Sequence, residues 1–296
     1  MKHSVFCLAA LVFAQCVSAA KLSFTNELAV ISFDDLGRIV SVVERDSSRE
    51  LLLKPTPFAG IGKTLGGGYV GSVKMEAKEG LLVFRFPDNA GYVSLRAEKF
   101  FGGFSFTVVD LYAPEMKSLY LGRMAPAPRR WIGRRSNMAS DDKSALCVRS
   151  YDIASDMQAS GHLLQVRFDV ETAKGKRFGV VGSPRAKMRD ALKAMTIVSG
   201  RPHSTAGGAW ALESDAARGS YLNANVSMDT IDDWIDVVER GGFDVLHFRE
   251  RWYACRGQYP LNAKDWPGGI ADMKAAVEKI HKSGYRAGLH TLTRQA

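Results

Sequence analysis

The sequence predicts a β-sandwich followed by the start of a (β/α)8, or TIM, barrel. Three observations lead there. Residues 21–183 carry short alternating strands broken by Gly, Asn and Asp turns. From Met228 onward, helix-period apolar stripes alternate with apolar strand runs. The loop after "FDVLHF" is long, polar and aromatic, where a nucleotide-binding turn is short and glycine-rich.

The chain has 296 residues, 46% hydrophobic and 24% charged, the composition of a folded globular protein. Residues 1–20 stand apart. Lys2 and His3 precede an apolar run from Val5 to Ala14, and the small residues Ser18, Ala19 and Ala20 follow. That is the order of a secretory signal peptide. The run is shorter than the roughly 20 residues a bilayer span needs. The expected location is therefore secreted or periplasmic, with no stable membrane span once the signal is removed. Cleavage takes away Cys7 and Cys16 and leaves Cys147 and Cys255, which either pair or stay separate thiols. No Cys/His spacing suits zinc, and no cofactor or metal is expected.

The formal charge of +9 is concentrated in "GRMAPAPRRWIGRRS", where Arg123, Arg129, Arg130, Arg134 and Arg135 surround Trp131. Such a cluster suits an anionic polymer or a carboxylated sugar, or it is a solvated loop paired with carboxylates elsewhere. Export argues against nucleic acid.

Within 21–183, turns are expected at Asp34-Asp35-Leu36-Gly37, near Asp46-Ser47-Ser48, at Pro87-Asp88-Asn89 and at Gly102-Gly103. Phe100, Phe101, Phe104 and Phe106 read as core side chains or as a sugar platform. "GKTLGGG" lacks the full phosphate-loop pattern and reads as a loop between strands. Residues 184–215 form a connector. Its helix starts near Pro184, carries Met188, Ala191, Leu192 and Met195, and ends toward Gly200; an irregular stretch follows.

In 216–296, Met228, Ile231, Trp234, Ile235 and Val238 make one helical stripe, capped by Ser227 or Asp229 and ended by Gly241-Gly242. "FDVLHF" is a buried strand of the parallel-sheet kind. Ile270, Met273, Val277 and Ile280 mark a second helix, and "YRAGLHTL" a second strand, so the order is that of a βαβ unit. In barrels the loops after strands make the active face. His247, Arg249, Glu250, Trp252, Tyr253 and His290 are the candidate sugar-binding residues. Glu250, the one carboxylate at a strand end, is the candidate acid/base, or else it is ion-paired with Arg249 or Arg251.

Trp266-Pro267-Gly268-Gly269-Ile270, His281-Lys282-Ser283-Gly284 and Gly288-Leu289-His290 resemble the first barrel segments of α-galactosidase-type glycoside hydrolases. The resemblance covers about fifty residues and implies a sugar substrate. It also implies catalysis by two aspartates on later strands, beyond the two this chain was expected to hold. An aspartate usual at the end of the first strand is replaced by His247, Arg249 and Glu250. A barrel takes eight strands and roughly 250 residues. Residues 216–296 are therefore expected to be its first βα units only. The expected function is the N-terminal portion of a secreted glycoside hydrolase, inactive as it stands. The alternative is an exported, non-catalytic carbohydrate-binding protein.

Overall fold

The computed structural model describes residues 22–65, 67–159, 162–205, 210–211, 213–215 and 218–291. The expected signal peptide lies outside them. The chain divides into two compact units, with the boundary between Pro202 and His203.

The first unit is built of antiparallel sheets. Leu22–Thr25, Ala29–Phe33, Arg38–Glu44 and Thr56–Pro57 make a four-stranded sheet. An eight-stranded sheet runs in the order Trp131–Gly133, Met138–Ser140, Ser144–Ser150, Arg177–Pro184, Gly103–Tyr112, Tyr92–Phe100, Leu81–Arg85, Lys74–Lys78. A third sheet centres on Ser118–Pro126, flanked by Leu164–Asp169 and Ala59–Thr64.

Inward residues of all three sheets meet in one core, because alternate side chains of each strand point to the same face. Phe33 of the first sheet meets Phe58 edge-on at 5.0 Å, Phe58 meets Phe106 of the second at 5.2 Å, and Phe106 stacks on Phe178 at 5.1 Å. Leu119, Leu121, Val166 and Phe168 bring in the third sheet. Each buried aromatic pair adds about 0.5–1.5 kcal/mol to the area it buries. Phe100 and Phe104 are buried as well, and Phe101, at a hairpin tip, is exposed. The four phenylalanines thus do not form a shared platform.

The turn read at Asp34–Gly37 forms around a fully buried carboxylate. Asp34 Oδ1 accepts the N–H groups of Leu36 at 3.1 Å and Arg38 at 2.8 Å, and Oδ2 accepts Arg38 Nε at 2.6 Å. Every polar contact the burial of Asp34 would otherwise forfeit is replaced within four residues. Helix α1, Met188–Ser199, lays Met188, Ala191 and Met195 against Leu28, Phe100, Cys147 and Val181, and ends at Gly200 in the left-handed conformation (φ 68°). The connector helix therefore packs onto the β-rich unit. Cys147 is buried, Cys255 is exposed, and both are free thiols.

The second unit holds a parallel sheet of three strands in the order Tyr221–Ala224, Val245–Phe248, Arg286–Leu289 among the described residues. Helix α2, Ile231–Gly241, follows the first strand, and helix α3, Ile270–Lys282, precedes the last. The strand Tyr221–Ala224 corrects the expected count: "FDVLHF" is the second parallel strand, preceded by one in a segment to which no element was assigned. Three strands do not close a barrel. The N-cap of α2 is Thr230, one residue beyond the expected Asp229 and hydrogen-bonded to Ser227. On α3 the buried positions are Met273, Ala276 and Ile280, while Ile270, expected on the apolar stripe, is 60% exposed. Ile270 is the first residue of the helix, ahead of the turn that rests on the sheet.

Candidate functional site

The parallel sheet has two unlike faces, and its register sorts them. Leu222, Ala224, Leu246, Phe248 and Ala287 pack with Ile231 and Val238 of α2 and Met273, Ala276 and Ile280 of α3. Trp266, 1% exposed, stacks on Phe248 at 5.6 Å. This explains the Trp-Pro-Gly-Gly turn: the indole seals the helix side of the sheet just before α3 begins.

The intervening residues face the other way. Asn223, His247 and Gly288 lie side by side across the three strands, with Tyr221, Val245 and Arg286 in the next row. With Gly219 and His290, this helix-free face lines a pocket of about 500 Å³. That volume lies within the range of roughly 300–1,000 Å³ usual for small-molecule sites. His247 Nδ1 is 3.2 Å from Asn223 Oδ1, and its ring centroid is 5.5 Å from that of Tyr221 and 6.0 Å from that of His290. A Cβ on Gly288 would come within 2.4 Å of His247 Cδ2, so the glycine makes room for the imidazole to lie across the neighbouring strand. Burial, then the nearby His290, lowers the pKa of His247 below its ordinary value.

Asp244 and Ser220 fasten the approach to the middle strand. Asp244 Oδ2 accepts both the N–H of Ser220 at 2.8 Å and its hydroxyl at 2.9 Å. These bonds hold the Asp244 carboxyl below its ordinary pKa.

The six predicted residues separate into two groups. His247 and His290 reach the helix-free face. Arg249 and Glu250 do not line that pocket; they lie in the turn beyond the middle strand. Glu250 pairs with Arg256 at 3.2 Å, so the alternative reading of an ion pair holds with a partner other than Arg249 or Arg251. Arg251 instead pairs with the buried Asp265 at 3.1 Å. Trp252 and Tyr253 are each 7% exposed and belong to the core of the unit. Trp252 stacks on Tyr259 at 5.8 Å, and Tyr253 meets Tyr259 edge-on at 4.9 Å. Their rings are spent on one another.

Sequence reasoning missed Tyr221, Asn223 and Arg286. The signal was there in "YLNANV", where Leu222, Ala224 and Val226 alternate with Tyr221, Asn223 and Asn225.

Chemically, the face offers imidazole, amide, phenol and guanidinium groups, all suited to hydroxyls or a carboxylate. No carboxylate among the described residues lines it. Among the described residues no group of three His, Cys, Asp or Glu could hold a metal ion, and no helix is long and apolar enough to cross a membrane.

The arginine cluster of the first unit is partly satisfied internally. The Arg123 guanidinium lies 3.8 Å above the Tyr69 ring. Arg130 pairs with Asp142 and lies 4.6 Å from the Trp131 ring, with Arg185 at 4.5 Å from the same ring. Arg134 and Arg135 are exposed.

No family model matches the chain, and no curated protein matches it. Similar solved structures include an alpha-galactosidase from Thermus thermophilus, 17% identical, covering 67% of this chain and 46% of that one at a TM-score of 0.37. An alpha-galactosidase from Lactobacillus brevis is 8% identical, covering 90% of this chain and 54% of that one at a TM-score of 0.43. A dextranase from Flavobacterium johnsoniae is 10% identical, covering 93% and 38% at a TM-score of 0.33. This chain spans about half the length of these glycoside hydrolases, or less. Identities and scores this low assign neither activity nor site.

Proposed function

We propose that the protein is carbohydrate-active and carries the β-rich domain and first βα units of a secreted glycoside hydrolase. Sugar is held on the helix-free face of the parallel sheet. The observation behind this reading is the grouping of Tyr221, Asn223, His247, Arg286 and His290 around a pocket of about 500 Å³. In a barrel that face is the interior side of the strands. The matched Trp266–Ile270 turn and the residues closing α3 agree with it. Glycosidases of the common kind need two carboxylates about 5 Å apart when they retain configuration. The described residues of the face supply none, so binding of sugar without turnover is the expectation for this chain. The second reading is an exported carbohydrate-binding protein without catalysis. Export through residues 1–20 is part of both, and N-terminal sequencing of secreted protein tests it.

The test of function is aryl-glycoside hydrolysis over a panel of α- and β-linked sugars, together with binding of methyl α-D-galactopyranoside followed by NMR. The expected result is no turnover, with shifts at His247 and Asn223. Turnover abolished by Glu250→Gln would overturn the reading and make Glu250 catalytic.

A further inference from the structure

The β-rich unit has a pocket of its own. It opens between the strand Ala59–Thr64, the turn after Leu81–Arg85 and the loop after Gly103–Tyr112, and its volume is about 340 Å³. The floor is apolar, formed by the buried Ile61 and Met116. One wall is the Tyr112 ring, 56% exposed. That ring is backed by a neighbour. It stacks on Tyr92 at 6.3 Å, and the Tyr92 hydroxyl donates to Asp110 Oδ2 at 2.7 Å.

The rim is polar and its backbone is set. Asp88 and Asn89 both adopt the left-handed conformation, at φ 53° and 55°. Gly91 follows at φ 131°, where a Cβ would sit 1.8 Å from the Tyr112 carbonyl oxygen. The turn is thereby pressed against the strand end that carries the aromatic wall. Two successive non-glycine residues in this region are uncommon, and they place both polar side chains beside the pocket. Lys63 and Glu115 complete the rim. The side chains of Lys63, Asp88 and Glu115 make no ion pair with another described residue. Their hydrogen-bonding capacity is available to a ligand.

A flat aromatic wall, an apolar floor and a ring of donors and acceptors of both signs match a molecule with a C–H face and hydroxyl edges. Two carboxylates against one ammonium disfavour an anion. The volume sits at the small end of ligand sites. We propose that this pocket binds a single neutral pyranose unit, giving the β-rich unit a carbohydrate site of its own. The inference is independent of the helix-free face.

The experiment uses the full chain, titrated with methyl α-D-glucopyranoside, methyl α-D-galactopyranoside and maltose, with glucuronate as the anionic contrast. Saturation-transfer NMR reports contact, and calorimetry reports affinity. Tyr112→Ala, at an exposed side chain, is expected to weaken neutral-sugar binding at this pocket about tenfold or more. Glu115→Gln, which preserves shape, is expected to weaken it several-fold, and in a His247→Ala background, where the helix-free face no longer contributes, the loss caused by Tyr112→Ala is expected to persist. Near-ultraviolet circular dichroism checks that each variant is folded. Three results would each overturn the proposal: no neutral sugar bound, binding lost only in His247→Ala, or glucuronate preferred over the neutral glycosides.

Discussion

The indole N–H of Trp252 donates to the main-chain carbonyl of His290 at 2.9 Å. The turn after the middle strand is thus tied to the end of its neighbour. The His290 N–H in turn donates to the Phe248 carbonyl at 2.9 Å, so both backbone groups of His290 are fixed beside His247. Trp252→Phe keeps an aromatic ring but leaves that carbonyl without its donor. The expected loss is about 1–2 kcal/mol in the second unit, read as faster amide exchange in the strand Arg286–Leu289. Unchanged exchange there would mean that the bond does not hold the strand end.

Asp34 is the turn's organiser in the β-rich unit. Asp34→Ala removes three hydrogen bonds from a fully buried site and strands the Arg38 guanidinium. Denaturant unfolding is expected to show a loss of about 2–4 kcal/mol. A loss below about 0.5 kcal/mol, the usual range for surface changes, would contradict this account.

Acid sensitivity should track Asp141. Its carboxyl is held well below the usual carboxylate range, first by the hydrogen bond from Arg49, and also by the N–H groups of Ser144 and Lys143. The folded pKa is lowered, so the unfolded chain takes up the proton first. The stabilisation is complete above about pH 4 and is lost as pH falls below it. Asp141→Asn is expected to be less stable at pH 7 by about 1.5–3 kcal/mol. The gap should be full at pH 5, begin to close near pH 4 and be smaller at pH 3. A gap constant with pH would refute the role of this ionisation.

His247 titrates in the opposite chemical sense but with the same sign. Its pKa lies below 6.5, from burial first and His290 second. The unfolded chain binds the proton first, so this contribution is present above about pH 6.5 and is lost as pH falls through the lowered value. NMR titration is expected to place His247 below 6.5, and His290→Ala to raise it only part of the way. Full recovery in that variant would make charge, not burial, the main cause.

The sequence was informative where periodicity and burial coincide. "FDVLHF" and α3 follow from uninterrupted apolar patterning, and the Asp34 turn from its own residue types. Tyr221–Ala224 escaped because four residues with an asparagine and an exposed tyrosine make too short a run to register as a strand. Trp252 and Tyr253 were legible as aromatic loop residues, yet nothing local says whether a loop ring points out or folds back. Tyr259, seven and six residues on, decides that. Arg256 taking Glu250 from its adjacent arginines is the same kind of event, set by the path of the loop. Asn223 and His247 become neighbours through strand register alone, across 24 residues of chain.

The two-faced sheet separates positions that pack against the helices from positions that line the pocket. Leu222, Ala224, Leu246 and Phe248 pack with the helices, and a polar substitution there is expected to destabilise the unit. Tyr221, Asn223, Val245 and His247, one position over, lie outside that packing and line the pocket. Substitutions on the pocket side are therefore expected to leave the packing against the helices intact. A library randomised at those four outward positions should yield mostly folded proteins with altered recognition, whereas one randomised at the inward four should yield mostly aggregates.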